Sequence, residues 1–191
     1  MKSIFITLLL FAFILSSSCN SLDYKYSDKE DTIICEEYDV NTKLLKEALY
    51  SFENDLRTHY TRKLKSLPRG YINYINLGIT DSIPSKETIS DYSRLIFELL
   101  KDEKDLWIIK NGKHKLNYNS SIVTCISDNI MDKGLKATFN ALLSTNNMHP
   151  RLIGPAIQSK INVTITDKHI ATFIALDMFY ARLFDVDFTE N

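Results

Sequence analysis

Apolar residues recur every three or four positions along most of the chain after residue 40, a spacing that predicts α-helices. The first run is the longest. Asn41 or Asp39 can cap its start, and it should end near Ser66 because Pro68 disfavours helical geometry in the residue before it. Its buried face is expected to carry Val40, Leu44, Leu45, Ala48, Leu49, Phe52, Leu56, Tyr60, Leu64 and Leu67.

Shorter runs of the same kind follow the first one. They predict helices over residues 69–77, 85–101, 121–131, 132–143 and 150–161. Ser85 and Asp132 are the expected N-caps of two of these helices, and Pro150 suits the first position of another. Residues 162–165 are expected to be briefly extended.

The last helix is expected to begin at Thr166 or Asp167 and to run to Phe184. It is apolar on nearly all sides, which is typical of a helix buried in the middle of a bundle. Its length, and Asp177 and Arg182 within it, argue against a membrane span. Glycine and proline are scarce and strands do not alternate with helices. The prediction is an all-α fold, an irregular bundle of about six helices around a buried C-terminal helix.

Residues 106–118 are the stretch where a β-hairpin competes with other structures. Asn111 followed by Gly112 is the dipeptide that a type I′ hairpin turn favours. The apolar and polar residues on either side alternate unevenly, and an isolated two-stranded hairpin is only marginally stable. An irregular connector in which Trp107 fills an apolar gap accounts for the same residues, so both structures stay open.

The first nineteen residues have the order of a secretory signal. Lys2 precedes an apolar run over residues 4–15 that only Thr7 interrupts, and three serines then lead to Cys19. The run is shorter than the ~20 residues that a membrane-spanning helix needs. Small residues directly before a cysteine resemble the lipobox of bacterial lipoproteins, in which the cysteine becomes the first mature residue and carries acyl chains such as palmitate.

The resemblance implies a location in the bacterial cell envelope, on the outer membrane or the periplasmic face. It divides the chain into a signal peptide over residues 1–18, a lipid-attached flexible tether over residues 19–39 and a single helical domain over residues 40–191. The lipobox pattern usually has leucine where this chain has Ser16. Ser16 and Ser18 also fit ordinary signal peptidase, which would release a secreted protein. Sequons at Asn119 and Asn162 leave a secreted, glycosylated eukaryotic protein as a further alternative.

Charge and cysteine content limit the partners. The chain has 23 basic and 24 acidic residues without a dominant basic cluster, which argues against a nucleic-acid partner. If Cys19 is lipidated, Cys35 and Cys125 remain as a pair that can form a disulfide in an oxidising compartment. Both lie among apolar residues, so two buried free thiols are the alternative. No Cys/His grouping has zinc-ligand spacing, and we predict no metal and no cofactor.

Asp177 is the most unusual polar position, because it is a carboxylate on the most apolar helix. Perturbed carboxylates often belong to functional sites, although buried polar groups are more often simply hydrogen-bonded. His149, His169 and His59 are its candidate catalytic partners. The motifs of serine hydrolases, zinc proteases and nucleotide-binding proteins are absent from the sequence. The sequence therefore identifies these residues as weak candidates and no catalytic site.

These observations favour a non-catalytic envelope lipoprotein that binds another protein, either as an immunity protein or as an assembly or scaffold partner, and that contacts the membrane through its lipid anchor. The alternative is a hydrolase that acts on an envelope polymer through Asp177 and a histidine. A concave pocket that unites these two residues would favour the enzyme. An exposed apolar or tyrosine-rich patch without such a pocket would favour the binding protein.

Overall fold

The computed structural model describes residues 23–33, 35, 38, 40–61 and 65–189. This part of the chain is mainly α-helical, with eight helices and one two-stranded sheet. The helices are α1 (Thr42–His59), α2 (Leu67–Ile79), α3 (Asp91–Lys101), α4 (Ser121–Asn129), α5 (Lys133–Ser144), α6 (Pro150–Ser159), α7 (Ile161–Thr164) and α8 (residues 168–183). The sheet pairs β1 (Trp107–Lys110) with β2 (Lys113–Leu116). No helix in these ranges is long and apolar enough to cross a membrane.

Side-chain caps begin several of the helices. Asn41, Asp132 and Asp167 each accept a hydrogen bond from a backbone N–H in the first turn of α1, α5 and α8, which confirms these predicted caps. Ser85 is not the cap of α3. The cap is Ser90, whose hydroxyl accepts from Ser93 N and whose own N–H donates to the buried Asp55 carboxylate of α1.

Two boundaries differ from prediction for tertiary reasons. α1 ends at His59, well before Ser66, and Tyr60 caps it. The Tyr60 ring packs edge-on against Tyr74 of α2, with 5.0 Å between ring centroids, and this contact joins residues far apart in the chain. Residues 162–165 were expected to be extended, but most of them belong to the helical turn α7, where the buried Thr164 hydroxyl donates to Ile157 O.

α8 is buried along its length, since every residue from 170 to 183 has little or no exposed surface. Phe179 of α8 lies 5.2 Å from Phe52 of α1 between ring centroids, and Tyr74 of α2 packs against both. The helix is irregular: an α-helical part, Lys168–Ile174, and a last turn, Ala181–Leu183, flank a π-helical segment, Ala175–Tyr180. Such segments are rare and often lie at functional sites.

Residues 107–116 form the β-hairpin, so the alternative prediction of an irregular connector is wrong. Asn111 and Gly112 form the turn with φ values of +54° and +72°, the left-handed geometry of a type I′ turn. The hairpin is supported by packing on the end of α8. His114 stacks on the Phe184 ring with 3.9 Å between centroids, and Trp107 approaches the same ring edge-on.

The N-terminal segment contacts the helical domain. Residues 23–33 lie in the predicted flexible tether, yet Tyr26 N donates to the Glu47 carboxylate of α1 at 2.9 Å, and the Lys46 ammonium donates to Ser27 O and Lys29 O. Further along, Cys35 and Cys125 of α4 have their Cα atoms 5.9 Å apart, which is disulfide distance. The segment is therefore held to the domain at both ends of residues 26–35.

Candidate functional site

One face of the hairpin carries three lysines. Side chains alternate between the two faces of a strand, and residues directly opposite each other share a face. The register pairs Lys110 with Lys113 and Ile108 with Lys115, so these four side chains lie together. Trp107 and His114 belong to the other face, which is held against α8. The docking of one face leaves the lysine face directed away from that contact.

The π-helical segment of α8 contributes to the same site as the lysine face of the hairpin. In a regular α-helix, Asp177 and Arg182 would be about 140° apart around the axis, because five residues exceed one turn of 3.6. A π-helix bonds residue i to residue i+5 and brings such pairs to the same side. Both residues line one pocket with the hairpin lysines, and each is only 4% exposed. The helix irregularity therefore allows the Asp177 carboxyl and the Arg182 guanidinium to line the same pocket.

The pocket has a volume of about 370 Å³. Lys110, Lys113, Lys115 and Arg182 supply its positive charge, and Asp81 and Asp177 its negative charge. Apolar groups and two further polar side chains complete the lining: Ile108, Leu116, Met148, Pro150, Asn111, Tyr118 and His149. Its size suits a small ligand or one to two inserted side chains.

Asp177 is a buried carboxyl with one hydrogen bond. Tyr118 OH donates to its Oδ1 at 2.8 Å, while Oδ2 is buried without a hydrogen-bond partner among the described residues. Burial raises the pKa of the Asp177 carboxyl to about 6, against the opposing effects of the Tyr118 hydrogen bond and of the Arg182 and Lys115 charges. This carboxyl therefore changes its charge near neutral pH, unlike an exposed aspartate.

Arg182 forms an ion pair with Asp81, which lies just after α2. Partial burial favours the neutral acid, but the Arg182 hydrogen bond and charge, with Lys115 and Lys113, lower the pKa of Asp81 below its usual value. Asp81 is thus ionised, and it is the ion-pair partner of the Arg182 guanidinium. By contrast, Lys110, Lys113 and Lys115 form no ion pair with any described residue. The pocket consequently keeps a net positive charge.

His149 lies at the rim of the pocket. Its Nδ1 accepts a hydrogen bond from Arg151 N and so caps α6. Burial, followed by the Lys115 charge, lowers the pKa of His149 below its usual value. No hydrogen bond or ion pair joins His149 to Asp177 within the described residues. The pocket unites these two predicted candidates, but not as a hydrogen-bonded acid–base pair.

The other histidine candidates lie elsewhere. His169 is in the first turn of α8 beside its cap Asp167, and His59 is exposed at the end of α1. Neither lines the pocket. Within the described ranges, no three His, Cys, Asp or Glu side chains come together as a metal site. Cys19, the predicted lipid attachment residue, lies outside the described residues.

The sequence reasoning missed the residues that give the pocket its charge: the three hairpin lysines, Arg182, Asp81 and Tyr118. A signal for the lysines was available, because a two-residue turn at Asn111 and Gly112 determines the register and places them on one face. No local pattern indicated the π-helical segment.

The chain matches no protein-family model, no curated protein sequence and no solved structure.

Proposed function

We propose that this protein is a non-catalytic binding module of the bacterial cell envelope, and that it holds an acidic segment of a protein partner in the pocket between the hairpin and α8. The observation that carries the proposal is the set of three lysines on one hairpin face, all lining the pocket and none paired with a described acid. A carboxylate is the group that such a site recognises among protein side chains.

The hairpin supports a role in binding because its charge arrangement is unfavourable in the free protein. Lys110 and Lys113 are direct cross-strand neighbours, and like charges in that position are destabilising. An acid placed between them would relieve this repulsion.

The rim of the pocket adds apolar contact area. Ile108, which lines the pocket, is 40% exposed. Protein interfaces combine an apolar centre with charged groups that determine orientation. The same hairpin therefore offers both kinds of contact to an incoming protein segment, whether the partner is a toxin or an assembly component.

The location of the protein at the membrane is also part of the proposal. Acyl chains on Cys19 would hold the domain at the membrane, since each buried methylene contributes ~0.8 kcal/mol. We expect the chain made in a bacterial host to carry the mass of a diacylglyceryl group, and the Cys19→Ala variant to lack it, by intact mass spectrometry. If both the parent protein and Cys19→Ala have the unmodified mass, the protein is secreted without a lipid anchor.

A hydrolase that uses Asp177 is the second candidate, because a carboxyl with a pKa of about 6 is suited to general acid–base chemistry. His149 shares its pocket. The absence of a hydrogen bond between these two, and the use of His149 Nδ1 as a helix cap, support the binding role over this one. Release of soluble fragments from an isolated envelope polymer, lost in Asp177→Asn, would favour the hydrolase.

The binding proposal predicts affinity for an acidic peptide. A fluorescein-labelled tetraglutamate peptide should bind the intact protein at about pH 6 in fluorescence anisotropy, more weakly as salt is added. We expect the double variant Lys110→Glu with Lys113→Glu to weaken binding at least tenfold, roughly 1.4 kcal/mol, because it reverses the charge of the pocket edge.

The matched control is Lys104→Glu with Lys133→Glu, which makes the same change in net charge at two exposed lysines outside the pocket. Its affinity should stay within about twofold of the parent protein. Equal losses in both double variants would mean that the peptide follows only the overall charge. That result, or no binding by the parent protein, would contradict the proposal.

A further inference from the structure

A buried acid lies in the wall of a pocket that is otherwise suited to anions. Asp177 lines the same pocket as the three lysines and Arg182, and its Oδ2 has no hydrogen-bond partner among the described residues. An ionised carboxylate there would repel an incoming acid. A neutral carboxyl would remove this repulsion and could share its proton with the ligand.

We propose that Asp177 couples ligand capture to protons: the pocket takes up an acidic group together with one proton, which resides on the Asp177 carboxyl. This inference rests on the proposed binding of an acidic segment and adds the control of that binding by pH. The protein would bind its partner tightly in a mildly acidic envelope, and its affinity would fall as the pH rises.

The groups that face Asp177 come from every part of the pocket. Tyr118, in the connector after β2, fixes Oδ1 by its hydrogen bond, and Arg182 and Lys115 act on the carboxyl through their charges. The remaining charged or titratable groups of the pocket are Lys110, Lys113, Asp81 and His149. Imidazole is the side-chain type that ordinarily changes its charge close to neutral pH, so any test must separate His149 from Asp177.

The direction of the effect follows from linkage. A bound anion favours the uncharged form of Asp177 and so raises its pKa above the value of about 6 in the free protein. Affinity is then highest below the pKa of the free protein and falls as the pH rises through the pKa of the complex. If the ligand raises that pKa by roughly one unit, the affinity changes about tenfold in total.

The test uses an unlabelled, N-acetylated tetraglutamate peptide in titration calorimetry between about pH 5.5 and 8, where glutamate stays mainly ionised. The affinity should fall about tenfold over this range. Titration calorimetry in two buffers of different ionisation enthalpy should show proton uptake on binding near pH 6.5. In Asp177→Asn, both the pH dependence and the proton uptake should disappear while peptide binding persists.

Two further variants identify the titrating group. His149→Gln should keep most of the pH dependence. Tyr118→Phe removes a hydrogen bond that favours the ionised carboxylate, so the midpoint of the pH dependence should move to higher pH. Loss of the dependence in His149→Gln with retention in Asp177→Asn would overturn the inference, as would pH-independent binding by the parent protein. Absence of peptide binding at every pH would overturn the proposed function as well.

Discussion

Breaking the Cys35–Cys125 link is expected to lower the free energy of unfolding by about 4 kcal/mol, which is a large part of the stability of a domain of this size. The two cysteines are 90 residues apart in sequence, and the cross-link removes the entropy of that loop from the unfolded chain. The enclosed chain includes α1, α2, α3 and the hairpin. Urea unfolding of the oxidised protein, with and without reductant, measures the difference as a shift in midpoint.

The double variant Cys35→Ser with Cys125→Ser is the control for this experiment. It should unfold near the midpoint of the reduced parent protein, and reductant should have no further effect on it. If the parent protein has the same midpoint with and without reductant, no disulfide contributes to its stability. The two cysteines would then act only as small buried side chains.

Asp177 is expected to cost the protein up to about 3 kcal/mol of stability at neutral pH. The pKa of its carboxyl is about 6 in the folded protein and about 3.9 in an unfolded chain, and each pKa unit corresponds to ~1.36 kcal/mol. Below the unfolded pKa both states are protonated and there is no penalty. As the pH rises from about 4 to 6, the unfolded chain loses its proton first, so the folded state becomes relatively less stable.

The Asp177→Asn variant separates this effect from all other titrating groups. Its unfolding free energy relative to the parent protein should increase by roughly 2 kcal/mol between about pH 4 and pH 7.5, measured by urea unfolding at each pH. The control is Asp185→Asn, which makes the same chemical change at an exposed position outside the pocket. A flat difference for Asp177→Asn would show that this carboxyl titrates normally in the folded protein.

Such a penalty is informative about function. An asparagine could accept the hydrogen bond from Tyr118 without carrying a charge, yet the chain has an acid at this position. Functional groups are often maintained at a cost in stability. The proposed coupling of binding to protons gives Asp177 a role that accounts for this cost.

Much of the helical structure could be predicted because its causes are local. Asn41, Asp132 and Asp167 cap helices through hydrogen bonds within one turn, and Pro150 begins α6. Ser85 and Ser90 are equally good caps in isolation. The choice of Ser90 depends on its contact with Asp55 of α1, which no local pattern contains.

The candidate site could be predicted only in part. Asp177 and His149 stood out by residue type, and the structure does bring both to one pocket, whereas His169 lies elsewhere. Arg182 could not be assigned to the same site, because regular helical geometry would place it far around the axis from Asp177. The π-helical segment changes that relation.

The sequence by itself determined the mainly helical structure and the apolar character of α8, since each depends on neighbours within a few residues. It left the hairpin at Asn111 and Gly112 open, and the structure shows it packed on Phe184. Only the tertiary structure decided that Cys35 reaches Cys125, that Tyr60 ends α1, and that the hairpin lysines face Asp177 across a pocket. Those outcomes depend on which surfaces pack together. The packing of Trp107 and His114 on Phe184 holds the hairpin at the end of α8, and the hairpin lysines line one pocket with Asp177 and Arg182.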